Sequence, residues 1–231
     1  KKKILFVIDS LGCGGAEKSL ISLLPLLDYR KYHIDLMISS RGGSFEKHIP
    51  TNVNIIKYTP YHNIFSLIFF KLCRFAFSIK IRLNKLLNTK RHGAETYWAI
   101  IHPAIGPLKH KYDIAVAYHQ GFPTYFVANK VNAIKKIAWI NADILNIGYR
   151  KNFNQQFYTH FDHIVTVSEI LENIISQEFP SLKGKTSTIY DILNPQLICQ
   201  ISKMKIPAQD KITLATVARL VKPKGHFLAI E

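Results

Sequence analysis

Short apolar runs rich in β-branched residues alternate with amphipathic stretches along the whole chain. Many runs are continuously apolar, which is typical of parallel strands buried on both faces. The predicted strands are Lys3–Ile8, His33–Ser39, Val53–Lys57, Asp113–His119, Lys136–Ile140, His163–Val167, Thr186–Tyr190 and Ile212–Val217. The predicted helices between them are Ala16–Leu27, Phe122–Lys130, Glu169–Glu178 and Pro195–Ser202. This succession predicts an α/β fold with a doubly wound, mostly parallel, Rossmann-like sheet.

Composition narrows the class of protein. The chain has 231 residues, of which 48% are apolar, so it can bury a core and is not disordered. Its 31 Lys and Arg against 15 Asp and Glu give a net charge of +16, which favours anionic partners. Three scattered cysteines, Cys13, Cys73 and Cys199, indicate neither a disulfide framework nor a thiolate zinc site. We therefore expect a cytoplasmic protein without a bound metal or other cofactor.

A glycine-rich turn follows the first strand and precedes the first helix. Gly12, Gly14 and Gly15 permit positive φ angles and close backbone approach, and free amides at a helix start attract anionic oxygens. The turn is therefore either a phosphate or carboxylate site or simply a tight strand-to-helix connection. It is not a GxGxxG fingerprint, because Glu17 occupies the place of the third glycine. No GxxxxGK[ST] motif occurs either, which disfavours a P-loop kinase.

Four segments that follow one another along the chain stand out together. They are Gly14-Gly15-Ala16-Glu17 before an apolar helix, the strand ending in Val167-Ser168, Tyr190-Asp191-Ile192-Leu193-Asn194, and Ala218-Arg219-Leu220-Val221-Lys222-Pro223-Lys224-Gly225. In this order they resemble segments of the retaining glycosyltransferases of family 4, which have the two-domain GT-B architecture. The third differs from the family's Tyr-Asn-x-x-Asp, since Asp191 and Asn194 have exchanged places. The fourth has alanine in place of the first glycine of the family's Gly-Arg-Leu-x-x-x-Lys-Gly signature.

The resemblance implies roles for several residues. Gly14, Gly15 and Glu17 would bind substrate, while Arg219 and Lys224 would contact the diphosphate of a nucleotide-sugar donor. Fixed cations there would stabilise the charge that develops on the leaving group. The alternative is that both are ordinary exposed cations in a basic chain. The reaction implied is transfer of a hexose to a glycan or polyprenyl-linked acceptor, in cell-surface polysaccharide synthesis.

Polar residues at the carboxyl ends of two predicted strands are candidates for the site, with Asn141 and Asp143 as catalytic residues and His119 as a substrate-binding residue. Asn141 stands where the resembled family often carries histidine, and Asp143 is the ionisable group closest to it along the chain. An amide cannot exchange a proton near neutral pH, so Asn141 either orients substrate or marks a divergent or inactivating change. The alternative for Asn141 and Asp143 is a capping pair that starts the next loop. His119 ends another strand and either lines the same cleft or is hydrogen-bonded locally.

The resemblance also bears on domain organisation. Residues 1–204 would form the acceptor-binding Rossmann-like domain, and residues 205–231 a linker with the start of the nucleotide-sugar domain. The family's glutamate pair, which holds the donor, has no counterpart here. We therefore expect this chain to be a fragment of a longer enzyme, inactive in transfer by itself.

A basic amphipathic insert lies at about residues 61–92. Between Lys47 and Ala94 there are nine Lys or Arg and no acidic residue. On a helix, which advances about 100° per residue, Lys71, Arg74, Ser78, Arg82 and Lys85 share one face and large apolar residues occupy most of the rest. Such a helix over residues 64–87 either docks on an anionic membrane surface or packs with its charged face in water. Docking would place the protein at the inner face of the membrane, as a peripheral protein.

Two other function classes are consistent with the charge. One is a noncatalytic membrane-docking subunit, and the other is a polyanion-binding or nucleic-acid-binding domain. No RRM, KH or zinc-finger signature occurs, and the basic stretch alternates with apolar residues at core-like spacing. We therefore expect no nucleic-acid partner. The absence of DxD and HExxH motifs predicts no metal site.

Overall fold

The computed structural model describes residues 1–59, 61, 63–87, 89, 91–202, 216–218, 220 and 224–230, without the side chains of residues 197, 200 and 201. The chain divides into two compact units, Lys1–Asn194 and Pro195–Glu231. The sequence predicts the boundary at residues 204–205. Most of the predicted strand Ile212–Val217 lies outside the described residues.

The first unit is built on a seven-stranded sheet in which every neighbouring pair of strands is parallel. The sheet order is β3-β2-β1-β4-β5-β6-β7. The strands are β1 (Lys2–Ile8), β2 (Tyr32–Ile38), β3 (Asn54–Ile56), β4 (Lys111–Ala117), β5 (Asn132–Ile140), β6 (His163–Thr166) and β7 (Thr186–Thr188). The predicted α/β, doubly wound, Rossmann-like class is therefore confirmed.

Helices connect these strands. They are α1 (Gly15–Leu23), α2 (Ile64–Leu86), α3 (Gly93–Ile101), α4 (Phe122–Lys130), α5 (Lys151–Tyr158) and α6 (Glu169–Glu178), with α7 (Pro195–Ser202) in the second unit. The predicted bounds of α4, α6 and α7 are confirmed. The helix predicted from Ala16 ends early, because Pro25 converts its last turn to a 3₁₀ segment at Leu24–Leu26. Helices α3 and α5 were not predicted.

The strands bury both faces. Leu5 and Val7 of β1 belong to a large core with Trp98 of α3 and Tyr125 of α4. On the other face Phe6 lies against Tyr118, which follows β4 and stacks on Trp139 of β5, with ring centroids 4.6 Å apart. The Tyr118 hydroxyl and Ser19 Oγ of α1 are 3.0 Å apart, which fixes α1 to this face. Alternating burial on two sides explains why the strand segments are continuously apolar.

A buried carboxylate joins α3 to α5. Glu95 is fully buried and accepts hydrogen bonds from Arg150 N, Arg150 Nε and Asn154 Nδ2, at 2.6, 2.7 and 2.7 Å. Asn154 Oδ1 in turn accepts a hydrogen bond from the hydroxyl of Tyr125 in α4. Three helices are therefore held together by a single satisfied polar network.

Helix α2 presents two apolar faces, not one. Asn63 and Ser66 form a capping box at its start. Its inner face includes Phe70 and Cys73, which pack against the core, and Phe77, whose ring meets Tyr97 of α3 edge-on at 5.1 Å. Its outer face leaves a long apolar stripe in contact with solvent. The large side chains of this outer stripe are Phe65, Ile68, Phe69, Leu72, Phe75, Ile79, Leu83 and Leu86.

The charges of α2 flank that stripe. At about 100° per residue, the outer stripe spans roughly 120°, with Lys71 and Arg82 along one border and Lys80 along the other. Phe65, Leu72, Phe75 and Leu86 are 60 to 80% exposed. A soluble helix normally turns such residues inward, so the outer stripe is a surface without a partner in the described unit. None of the described helices combines the length and the hydropathy that a membrane span requires.

Candidate active site

The carboxyl edge of the sheet contains a topological switch point between β1 and β4. After β1 the chain moves outward through β2 to β3, whereas after β4 it moves the opposite way through β5 to β7. The pairing of Val7 with Ala117 brings the residues that follow both strands to the same edge. Ligands of open α/β sheets bind in the crevice at such a point. Asp9 and His119 flank this crevice.

Asp9 and His119 interact directly. Asp9 Oδ2 lies 3.7 Å from His119 Nδ1, which is also 2.8 Å from the carbonyl oxygen of Gln120. A carbonyl oxygen only accepts hydrogen bonds, so Nδ1 carries the hydrogen and Nε2 is left as the second functional atom of the ring. The sequence left two possibilities for His119, a local hydrogen bond or a place at the cleft. In the structure His119 has the local hydrogen bond to Gln120 and also lies at the crevice.

The environment of Asp9 makes its carboxylate a good proton and hydrogen-bond acceptor. Burial raises its pKa from 3.8 to about 6, the charge of His119 lowers it, and the nearby Glu17 carboxylate raises it. Near neutral pH Asp9 is then ionised but easily protonated. This group was not singled out in the sequence, although it follows β1 in the same way that His119 follows β4.

The glycine turn has a different geometry from the one that the sequence suggests. Gly12, Gly14 and Gly15 do not adopt positive φ; the described glycines that do are Gly42, Gly121, Gly148, Gly184 and Gly225. Gly14 lies close to the carboxylate of Glu17, because a Cβ at Gly14 would lie 2.0 Å from Glu17 Oε2 unless that flexible side chain moved. The Glu17 carboxylate folds back over the start of α1. This part of the edge is therefore acidic, which suits hydroxyl donors better than a phosphate.

Asn141 follows β5 and is bound to the end of β4. Its Nδ2 donates to the carbonyl oxygen of Tyr118 at 3.1 Å, and its backbone N donates to Oε1 of the buried Gln120 at 3.2 Å. Its Oδ1 is buried and has no hydrogen-bond partner among the described residues. Asn141 thus positions the Tyr118–Gln120 segment, which carries His119, and keeps one acceptor unused.

Asp143 caps the turn that follows. Its Oδ1 accepts from Leu145 N and Asn146 N at 3.1 and 3.3 Å, and its Oδ2 accepts from Asn146 Nδ2 at 2.6 Å. Both carboxylate oxygens have partners, as in the capping alternative. The catalytic role of Asp143 stays a prediction.

The two predicted diphosphate ligands lie in the second unit. Arg219 is outside the described residues. Lys224 is exposed and precedes Gly225, which has a φ of 69°. Their contact with a donor stays a prediction.

Two of the four segments that carry the family resemblance lie at the carboxyl edge of the sheet. Ser168 caps α6 by accepting a hydrogen bond from Leu171 N, directly after β6. Tyr190 donates to Glu169 in the first turn of α6, and Ile192 N donates to Ser19 Oγ in α1 at 3.4 Å. Both segments therefore border the crevice side of the sheet. In the described part of the chain, no three His, Cys, Asp or Glu side chains lie close enough together to hold a metal ion.

Comparisons with known proteins find structures similar to this chain but no similar sequence family. No protein-family model and no curated protein matches the chain. A glycosyltransferase from Rickettsia africae is 14% identical with a TM-score of 0.41, covering 87% of this chain and 48% of that one. Anabaena Alr3699/HepE in complex with UDP and glucose is 15% identical with the same TM-score, covering 87% of this chain and 49% of that one. The chain thus spans about half the length of each.

Proposed function

We propose that this chain is the acceptor-binding half of a GT-B glycosyltransferase that moves a hexose from a nucleotide-sugar donor to a glycan or lipid-linked acceptor, with retention at the anomeric carbon. The observation that carries the proposal is the Asp9–His119 pair at the topological switch point. The ordered resemblance of four segments to family 4 supports the same reaction. Arg219 and Lys224 would hold the donor diphosphate.

Within this proposal the described residues have distinct tasks. Asp9 would accept a hydrogen bond from an acceptor hydroxyl, and His119 would orient that hydroxyl or the transferred sugar. Asn141 would keep the segment that carries His119 in place through its bond to Tyr118. Glu17, whose carboxylate lies close to Gly14, would add a second acceptor for hydroxyl groups. Fixed dipoles of this kind need no reorganisation during the reaction.

The outer stripe of α2 supports a peripheral location at an anionic membrane. A wide exposed apolar surface bordered by Lys71, Lys80 and Arg82 matches an interfacial helix, with about 1 kcal/mol per cation near an anionic surface added to apolar burial. The same surface is apolar rather than uniformly basic, which does not suit a nucleic-acid backbone. It would serve a noncatalytic membrane-docking subunit equally well, so a transfer assay must separate the two.

The test is a transfer assay with the protein expressed from its complete reading frame, against a panel of nucleotide sugars and of glycan and polyprenyl-linked acceptors. We expect turnover with one donor, and a product with the donor's anomeric configuration by NMR. A protein that binds anionic vesicles but transfers no sugar from any donor would favour the membrane-docking alternative. Inversion at the anomeric carbon would contradict the retaining mechanism alone.

A further inference from the structure

His92 is the residue before α3 and caps the start of that helix. Its Nδ1 accepts a hydrogen bond from the backbone N of Ala94 at 3.2 Å. A backbone N–H only donates, so Nδ1 carries no hydrogen, and in the neutral ring the hydrogen is on Nε2. The residue is half-buried, and Nε2 has no hydrogen-bond partner among the described residues. His92 therefore offers an unused N–H donor.

A stack on Tyr149 fixes the orientation of this ring. The centroids of the two rings are 3.7 Å apart, at an interplanar angle of 22°. Tyr149 is itself buried, and the next residue, Arg150, donates to the fully buried Glu95 from both its backbone N and its Nε. The cap, the stack and the ion pair together hold the imidazole in one place, as a preorganised binding site requires.

The stack lies against the segment that carries His119. Gly121 follows His119 by two residues and has a φ of 88°. A Cβ at Gly121 would lie 2.8 Å from the Tyr149 hydroxyl and 3.2 Å from the Cβ of Ala94. The stacked tyrosine and the start of α3 therefore both pack on this glycine. Ala94 also lines a cavity of about 930 Å³ together with Asp9.

Electrostatic interactions connect the stack to both residues of the crevice. Burial lowers the pKa of His92, the Glu95 carboxylate raises it, and the charge of His119 lowers it. Burial raises the pKa of Tyr149, and the charge of Asp9 raises it further. The positive end of the α3 dipole also disfavours a cation at His92. The imidazole is therefore neutral near pH 7.

Four side chains at the carboxyl edge of the sheet offer hydrogen-bond acceptors. Asp9 and Glu17 have carboxylates. His119 presents the lone pair of Nε2, and the unused atom of Asn141 is Oδ1. A hydroxyl group donates one hydrogen bond and accepts others, so acceptors alone satisfy it incompletely. His92 has the missing polarity, and a neutral imidazole beside a helix N-terminus polarises an oxygen without adding a net charge.

We infer that His92 is a further binding residue of the crevice, where its Nε2–H donates a hydrogen bond to a hydroxyl oxygen of the substrate that Asp9 and His119 contact as acceptors. The inference rests on the proposed function only in identifying this substrate as a sugar. The two nitrogens of the ring then have separate tasks, because Nδ1 caps α3 and Nε2 binds the substrate. Every residue involved belongs to the first compact unit.

The first test replaces the two nitrogens one at a time. Asparagine keeps an acceptor near the position of Nδ1, and glutamine keeps a donor near the position of Nε2. In the full-length protein, His92→Asn should keep the midpoint of urea unfolding but lower kcat/KM for sugar transfer about tenfold or more, for one lost hydrogen bond. His92→Gln should lower the unfolding midpoint but keep kcat/KM within about threefold of the parent.

The matched control is His102→Asn at the other end of α3. His102 is also half-buried, stacks on Trp98 and bonds a backbone carbonyl oxygen through Nδ1. Its replacement should leave sugar transfer unchanged. Equal transfer by His92→Asn and His92→Gln would overturn the inference, because it would reduce His92 to its capping role. Loss of transfer by His102→Asn would do the same, because any change in α3 would then have this effect.

The second test needs no sugar transfer and uses nitrogen-15 NMR of the imidazole rings. We expect the hydrogen of neutral His92 on Nε2 and that of neutral His119 on Nδ1. His119→Ala should raise the pKa of His92, since it removes a neighbouring positive charge. The probes are methyl glycosides of glucose, galactose and mannose, with glycerol as the control for unspecific hydroxyl groups. At least one glycoside should shift the Nε2 signal of His92, and glycerol should not.

These outcomes are separable from that of the transfer assay. A glycoside-induced shift at Nε2 of His92 in a protein that transfers no sugar would contradict the proposed function and leave the binding role of His92 intact. A hydrogen on Nδ1 of neutral His92, or an Nε2 signal that no glycoside shifts, would overturn the inference even in an active transferase.

Discussion

The Oδ2 atom of Asp9 lies 3.7 Å from Nδ1 of His119, across the point where the order of the strands reverses. The two residues are 110 positions apart in sequence, and the pairing of β1 with β4 brings them together. Burial raises the pKa of Asp9 to about 6, and the charge of His119 opposes that rise. The pH dependence of stability should therefore report on Asp9.

Asp9 should make the protein less stable as the pH rises. Its pKa is about 6 in the folded protein and 3.8 for an unperturbed carboxyl, so the folded state binds more protons between these values. The free energy of unfolding then falls as the pH rises through that window. Because the side chain of Asp9 is 46% exposed, solvent screening limits the effect to about 1 kcal/mol.

Asp9→Asn should remove this fall. Thermal unfolding at several pH values should show the variant more stable than the parent at about pH 8 and equal to it below pH 3.8. Asp28→Asn is the control, because its carboxylate is stabilised by Arg30 and its pKa is lowered. A parent protein whose stability does not decline between about pH 4 and pH 7 would contradict the raised pKa of Asp9.

His119 should matter for sugar transfer and not for folding. We expect His119→Ala to lower kcat/KM about 10- to 100-fold, which corresponds to one lost hydrogen bond to a charged or reacting group. His160→Ala is the matched control, since His160 is exposed and its Nδ1 likewise bonds a backbone carbonyl oxygen, that of Gln156. Steady-state kinetics with the full-length protein measures both. Equal activity of the two variants would show that His119 has no role in the site.

Much of the candidate site follows from a single rule about parallel sheets. Polar residues that follow strands meet at the carboxyl edge, and this rule identified His119 and Asn141 from the sequence. The same rule applied to β1 would have found Asp9. The sequence could not show that both carboxylate oxygens of Asp143 accept hydrogen bonds within the turn that follows it, because those bonds depend on the conformation of that turn.

The fold was predictable where local pattern and tertiary environment agree. Helix α6 has a serine cap and helical spacing, and its predicted bounds are confirmed. Helix α5 is only eight residues long and has no side-chain cap; Phe157 and Tyr158 bury it in the core, and Asn154 bonds it to Glu95 and Tyr125. So short a helix is stabilised by partners distant in sequence, and its two turns are too few for periodicity alone to reveal it.

The outer stripe of α2 should determine binding to anionic membranes. Replacing Leu72 and Phe75 with glutamate should remove most binding to vesicles that contain anionic lipid, because it adds two charges to the apolar surface. Replacing Lys71 and Arg82 with glutamine should weaken binding by about 2 kcal/mol at low salt. Co-sedimentation with anionic and neutral vesicles measures both effects.

The controls for this experiment use a distant exposed residue. Ile134 of β5 is 76% exposed, so Ile134→Glu adds charge to an apolar surface site away from α2 and should leave vesicle binding unchanged. Equal partitioning of the parent protein onto neutral and anionic vesicles would contradict electrostatic docking. Loss of binding by the Ile134 variant would show a general effect of charge instead of a specific surface.

Glu95 should be the most sensitive polar position in the first unit. Glu95→Gln keeps the size of the side chain but weakens the charge-assisted bonds to Arg150, so we expect a loss of about 1–3 kcal/mol in the free energy of unfolding. Lys151→Gln provides the comparison, because its ion pair with Glu178 is exposed and should contribute less than about 1 kcal/mol. Urea unfolding distinguishes the two. If the Lys151 variant were less stable than the Glu95 variant, the buried network of Glu95 would not be what holds α3 to α5. The position of α2, which packs on α3, would then depend on other contacts.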